Sequence, residues 1–132
     1  MDKTIFIIAV ILGVSAVVLG AFGAHGLEQL VSADKVKSFE TGVRYQMYHA
    51  FFLFVVALVP HLSAGAKKWV CGCVCIGVLL FSVSIYGLAL NQLTAFDFKK
   101  IAFVTPVGGL FMIAAWLLLG YHFVARERAA TE

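Results

Sequence analysis

Charge is scarce in this chain: only 13% of its 132 residues are Asp, Glu, Lys or Arg, against roughly 25% in soluble domains. Seven acidic residues are spread too thinly to supply the paired carboxylates of acid–base catalysis. There is no glycine-rich phosphate loop, no H-E-x-x-H, and no Ser/His/Asp arrangement in supporting context. These absences exclude the templates of water-soluble enzymes, so no catalytic residue, metal or cofactor is assigned and the reading leans away from an enzyme. Cysteine numbers three, Cys71, Cys73 and Cys75, an odd count with no spacing for a disulfide framework. On a helix Cys71 and Cys75 share a face and Cys73 points away, so the three read as small apolar side chains, although soft thiolates do select Cu(I) or zinc.

What the chain has in abundance is apolar length. Hydrophobic residues make up 62% of it, and mean hydropathy is +0.99. The runs Ile5–Ala24, Tyr45–Pro60, Trp69–Phe96 and Ile101–Ala125 contain no charged side chain. About 20 helical residues cross a hydrocarbon core of ~30 Å. The second run reaches that length only when begun near Phe39, which brings Glu40 and Arg44 to the membrane boundary. The pattern predicts a single all-α membrane domain of four transmembrane helices, with spans of approximately 4–25, 38–60, 69–92 and 100–124. Short connections make sequential neighbours antiparallel, giving an up-down-up-down bundle.

The first run is about 20 residues, longer than the 7–15 of a signal-peptide core, and is read as a retained span. Ten basic residues against seven acidic ones give a net charge of +3. The basic residues cluster at the breaks: Lys35 and Lys37, Lys67 and Lys68, Lys99 and Lys100, Arg126 and Arg128. They read as topology signals and snorkelling side chains, not as a nucleic-acid surface. Five on the N-terminal side against four or five on the other favours, narrowly, both termini in the cytoplasm. The expected location is a membrane, with the lipid bilayer as the first partner and a second copy or another membrane protein as the next.

Small residues mark contact faces. Gly13, Ala16, Gly20 and Gly23 line the first span, and small side chains let membrane helices pack closely. Gly26 suits the end of that helix, and Ser32 or Asp34 the start of the next. Pro106 lies in the fourth run, where it removes a backbone donor and predicts a kink; Gly108 and Gly109 beside it allow close approach.

Alternating helix direction brings four helix ends into one leaflet, and those ends carry most of the intramembrane polarity. They supply His25; Gln46, Tyr48 and His49; Ser82, Ser84, Tyr86 and Asn91; and Thr105 with Pro106. At 1.5 Å per residue His49 lies roughly 13 Å beyond Glu40, and Tyr86 roughly 10 Å from a span end at Leu93. Buried polar groups in hydrocarbon default to a functional-site hypothesis. The candidate polar cluster is therefore His25, Glu40, Thr41, Arg44, Gln46, His49, Ser84, Tyr86 and Thr105. Glu40 precedes Arg44 at the i,i+4 spacing that favours an ion pair. His49 reads either as a ligand or proton site, or as a bundle lock bonded to Gln46, Tyr86 or a backbone carbonyl. His61 and His122 fall near span ends and read as interfacial.

Four blocks together resemble one known family. They are Gly23-Ala24-His25-Gly26-Leu27, the stretch Phe39-Glu40-Thr41-Gly42-Val43-Arg44-Tyr45-Gln46-Met47-Tyr48-His49-Ala50, Phe81-Ser82-Val83-Ser84-Ile85-Tyr86, and Thr105-Pro106-Val107-Gly108-Gly109 with Trp116. The chain is similar to domain-of-unknown-function family 423, small bacterial inner-membrane proteins with eukaryotic relatives called transmembrane protein 256. The resemblance implies a four-span fold with no settled activity, and emphasises His25, Thr41, Gln46, His49, Ser84, Tyr86, Pro106, Gly108 and Gly109. Gly42 stands where the family often has Ala; Glu40, Arg44 and the three cysteines fall outside its pattern.

Three function classes follow. The first is a binding or accessory, oligomeric membrane component with a polar pocket in one leaflet. The second is a small transporter or channel using His25, Gln46, His49 and Tyr86. The third is an intramembrane lipid-handling enzyme with Arg44 holding a phosphate.

Overall fold

The computed structural model describes residues 1–131, with side chains through Ala125. Among the described residues it is all-helical, without strands. Asp2 starts helix α1 (Lys3–His25) by accepting the Thr4 and Ile5 amides at 3.1 and 3.2 Å, which satisfies two of the donors a helix start leaves open. Ser32 occupies the cap position of α2 (Ala33–Leu58) but makes no side-chain bond there. Ser63 caps α3 (Ala64–Val78) by accepting the Ala66 amide at 3.1 Å. A π-helical segment, Leu79–Val83, joins α3 to α4 (Ser84–Ala89), so the two form one rod. Two short 3₁₀ turns then lead to α5 (Val104–Thr131).

Judged as helices in water, these are inside out. On α1 only Ile5, Ala9, Ala16 and Gly23 are buried, while Ile11, Val14, Val17 and Val18 are each at least 60% exposed. A soluble domain would not leave so much aliphatic surface open; lipid is the solvent that accepts it. Among the described residues three helical stretches, Lys3–Gln29, Ala64–Ala89 and Val104–Ala125, are long and apolar enough to cross a membrane. The exception is α2, whose opening turns carry Asp34, Lys35, Lys37, Glu40 and Arg44.

Neighbouring helices are antiparallel. The Asp2 amide donates to Ala57 O at 3.0 Å, tying the start of α1 to the end of α2, while Gly23 at the other end faces the Phe39 ring. Lys67 Nζ donates to the same carbonyl at 3.0 Å, and Ser82 Oγ donates to Gly42 O at 2.8 Å, which orients the α3–α4 rod against α2. Gly77 meets Met112, and Ser84 meets Thr105 at 2.6 Å, which does the same for α5. Packing is most extensive between α1 and α2 and between α3 and α5, with α2 joining the two pairs.

The small-residue positions sit at these contacts. A Cβ on Gly20 would touch Val43 at 3.4 Å and one on Gly23 would press the Phe39 ring at 3.1 Å, while Gly13 lies opposite Ala50 at 3.8 Å. Ala16 is 1% exposed. The tightest approach is at Gly108, where a Cβ would lie 2.6 Å from the carbonyl carbon of Leu80 and 2.9 Å from Gly77 O. There α5 crosses the α3–α4 rod backbone to backbone, at the π segment. Gly109 faces open space by comparison, its nearest neighbour the Phe81 ring at 3.8 Å.

Pro106 differs from expectation. It lies in the first turn of α5, where backbone amides have no intrahelical acceptor, so the missing N–H costs nothing there. The proline opens the helix instead of interrupting it.

Candidate functional site

Two apolar clusters divide the interior. One gathers Ile5, Ala9, Phe52, Leu53, Val56, Val70, Val74, Met112 and their neighbours; the other gathers Leu27, Phe39, Tyr86 and Ala89. A polar layer lies between them, centred on Gln46 of α2, which is 4% exposed. Its Nε2 donates to Leu12 O at 3.0 Å and to Ser15 Oγ at 2.7 Å, both on α1. Its Oε1 accepts the Tyr86 hydroxyl at 2.9 Å, from α4. Ser15 in turn donates to Ile11 O at 2.7 Å. One amide thus joins three helices, with both its hydrogens and its oxygen engaged.

Tyr86 reaches Gln46 by passing over Gly42. A Cβ at position 42 would stand 2.7 Å from the Tyr86 ring, and the ring packs on Phe39 at a centroid distance of 4.7 Å. The Gly42 carbonyl receives Ser82, which is fully buried.

A second polar knot sits on the π segment. Widening a helical turn there weakens regular i→i−4 bonding, and Ser84 Oγ fills in by bonding Leu80 O at 2.6 Å and Phe81 O at 2.9 Å. The same oxygen meets Thr105 Oγ1 at 2.6 Å, linking α4 to the start of α5. Isolated π turns recur at functional sites.

His49 stands apart from both knots. It is 4% exposed, and its Nδ1 bonds Tyr45 O of its own helix at 2.7 Å. Because a carbonyl only accepts, Nδ1 carries the hydrogen and Nε2 carries a lone pair. Among the described residues, that Nε2 is the one buried side-chain nitrogen or oxygen without a hydrogen-bond partner. The ring lies beside Phe52, centroids 6.1 Å apart, on the side of α2 that faces Trp116 of α5.

The remaining candidates scatter. His25 is exposed at the end of α1 and joins no part of the polar layer. Glu40 and Arg44 are both exposed, and no ion pair forms between them; with both side chains open, nothing desolvates the pair. Thr41 Oγ1 bonds Lys37 O on its own helix at 3.1 Å. The proposed pocket of His25, Gln46, His49 and Tyr86 therefore reduces to the Gln46–Tyr86 bond, with His49 turned to a different face. Cys71 and Cys75 do share a face, their sulfurs 4.0 Å apart. Among the described residues no three His, Cys, Asp or Glu side chains converge as a metal site would require.

Two contributors escaped sequence reasoning. Ser15 is a lone hydroxyl in an aliphatic run, and its signal was that isolation. Lys67, only 6% exposed, reads in sequence like its neighbour Lys68, yet it caps the last turn of α2 by donating to Ala57 O, where a cation meets the negative end of the helix. His61 and His122, from separate elements, line one cleft of about 280 Å³ with Ser63.

The chain matches the family model described as "Protein of unknown function (DUF423)" over residues 19–109. It is similar to a UPF0382 membrane protein of Staphylococcus saprophyticus, 36% identical over 117 residues, covering 89% of this chain and 93% of the relative. The UPF0382 membrane protein YwdK of Bacillus subtilis is 39% identical, with 89% and 93% covered. The UPF0382 inner membrane protein YgdD of Escherichia coli is 38% identical, with 89% and 87% covered. No solved structure matches the chain.

Proposed function

The chain belongs to the DUF423 family of membrane proteins, and from that premise we propose that it is a binding or accessory component of the bacterial inner membrane. In this reading four helices span the bilayer up-down-up-down, near residues 4–25, 38–60, 69–92 and 100–124, with both termini cytoplasmic. The polar layer holds the helices in register, and binding takes place beside it. The E. coli relative's description as an inner membrane protein supports the location.

One observation carries the reading. The buried polar groups find hydrogen-bond partners in neighbouring side chains and backbone carbonyls, and among the described residues His49 Nε2 alone stays open. Groups engaged in this way between helices favour a structural role for the polar layer over a conducting one. An acceptor held in hydrocarbon without a donor is costly, and it points to a molecule that supplies one. The transport reading needs His25, Gln46, His49 and Tyr86 along one path, and nothing in their placement favours that path.

Native mass spectrometry of the full chain released from mild detergent tests the proposal. A retained non-protein mass, a stable oligomer or a co-purifying membrane protein is the expected result; a ligand-free monomer without partners contradicts it.

A further inference from the structure

His49 lines an open groove between α2 and α5, with its Nε2 covered in this conformation. Since the Nδ1 edge is bonded back to Tyr45 O at 2.7 Å, Nε2 points away from its own helix. The groove, of about 520 Å³, is walled by Tyr45, Tyr48, Phe51, Phe52 and Trp116 around His49. Among the described residues no charged side chain lines it. Phe52 and Trp116 close its floor, with ring centroids 4.4 Å apart. Tyr48 in its wall is 54% exposed, so this ring has room to move toward lipid, and access to the covered Nε2 requires such a side-chain movement.

We propose that this groove binds a lipid-soluble phenol or hydroquinone carried on an apolar tail, its hydroxyl donating to His49 Nε2. The proposal rests on the binding reading above and names its ligand class. Each element of that class answers an observation. The unpartnered lone pair calls for a hydrogen-bond donor, which a phenolic O–H supplies. The absence of charged side chains requires a neutral head. Five aromatic walls favour a flat ring, which packs against them in offset or edge contacts. A groove that opens sideways to lipid admits a molecule from within the bilayer and lets its tail remain there.

The tautomer makes a sharp prediction. A hydroquinone donates, whereas the matching quinone, with the same ring and tail, has only acceptors and meets Nε2 lone pair to lone pair. The test titrates the full-length protein in lipid nanodiscs, without oxygen, with a decyl-tailed hydroquinone and with its quinone. Calorimetry reads affinity and histidine-selective ¹⁵N NMR reads His49. The hydroquinone is expected to bind about tenfold tighter than the quinone, the worth of roughly one hydrogen bond. The preference should vanish in His49→Phe, and the Nε2 resonance should move with hydroquinone alone. Equal affinity for the two forms, a preference that survives His49→Phe, or no saturable binding to folded protein would each overturn the proposal. So would crosslinking of position 116 to a second copy across the groove. If His49→Phe does not fold, Trp116→Leu replaces it: weaker hydroquinone binding together with the wild-type ¹⁵N shift supports the site, and unchanged binding or an unmoved resonance overturns it. A different retained mass in native spectrometry, with no preference here, removes only the ligand class; a ligand-free, partnerless monomer removes the binding reading as well.

Discussion

Gln46 and Tyr86, forty residues apart on antiparallel helices, meet through a 2.9 Å hydrogen bond, and the same amide reaches the other way to Leu12 and Ser15. Gln46 is therefore the point where α1, α2 and α4 are held at one depth. Interhelical hydrogen bonds in membranes average only about 0.6 kcal/mol each, so three together contribute on the order of 2 kcal/mol.

Gln46→Leu is expected to lower stability by about 2 kcal/mol, and Ser15→Ala by about 0.5 kcal/mol because Nε2 keeps its bond to Leu12 O. Unfolding titration in mixed micelles measures both. Equal losses in the two variants would contradict the arrangement.

Gly108 and Gly109 should respond very differently to alanine. Gly108→Ala places a methyl against the Leu80 and Gly77 backbone, which cannot yield without separating α5 from the π segment, so a loss of about 1–3 kcal/mol is expected. Gly109→Ala meets only the Phe81 ring at ordinary contact distance and should change stability little, or raise it slightly. The same unfolding titration ranks them.

Lys67→Met should cost about 1 kcal/mol, because it removes the charged donor to Ala57 O at the end of α2, while the Asp2 amide keeps part of that carbonyl satisfied. Lys68→Met, at an exposed neighbour, is the control and should be neutral. Amide exchange at the α2 terminus should quicken in the first variant only.

Ser84→Ala should loosen the π segment. The Leu80 and Phe81 carbonyls lose the hydroxyl that bonds them, and Thr105 loses its partner across to α5. Faster amide exchange over residues 79–83, with the α1–α2 pair unaffected, is the expected result.

Apolar runs are legible in a sequence because length and lack of charge are one-dimensional properties, so the all-helical membrane class could be read directly. Depth is nearly as accessible: alternation of direction placed Gln46 and Tyr86 at one level, and the structure joins them. Radial direction is harder. His49 lies three residues beyond Gln46, about 60° around the helix, and that angle turns it from Tyr86 toward Trp116. His25 shares the leaflet by the same depth argument but sits on an exposed face at a helix end, where no neighbouring element covers it. Lys67 and Lys68 are chemically identical in the sequence, and only the return of α2 buries one of them. The π segment leaves no compositional trace, since Leu79–Val83 is an ordinary helical run until Gly108 presses on it.

A double-mutant cycle on Gln46→Leu and Tyr86→Phe tests most directly whether the intramembrane polar groups act as a lock. A coupling of about 0.6 kcal/mol or more between the two positions, read from unfolding titrations of the wild type, both single variants and the double variant, is the predicted result. Strict additivity would mean that the two side chains do not hold each other in the membrane, and would contradict the account.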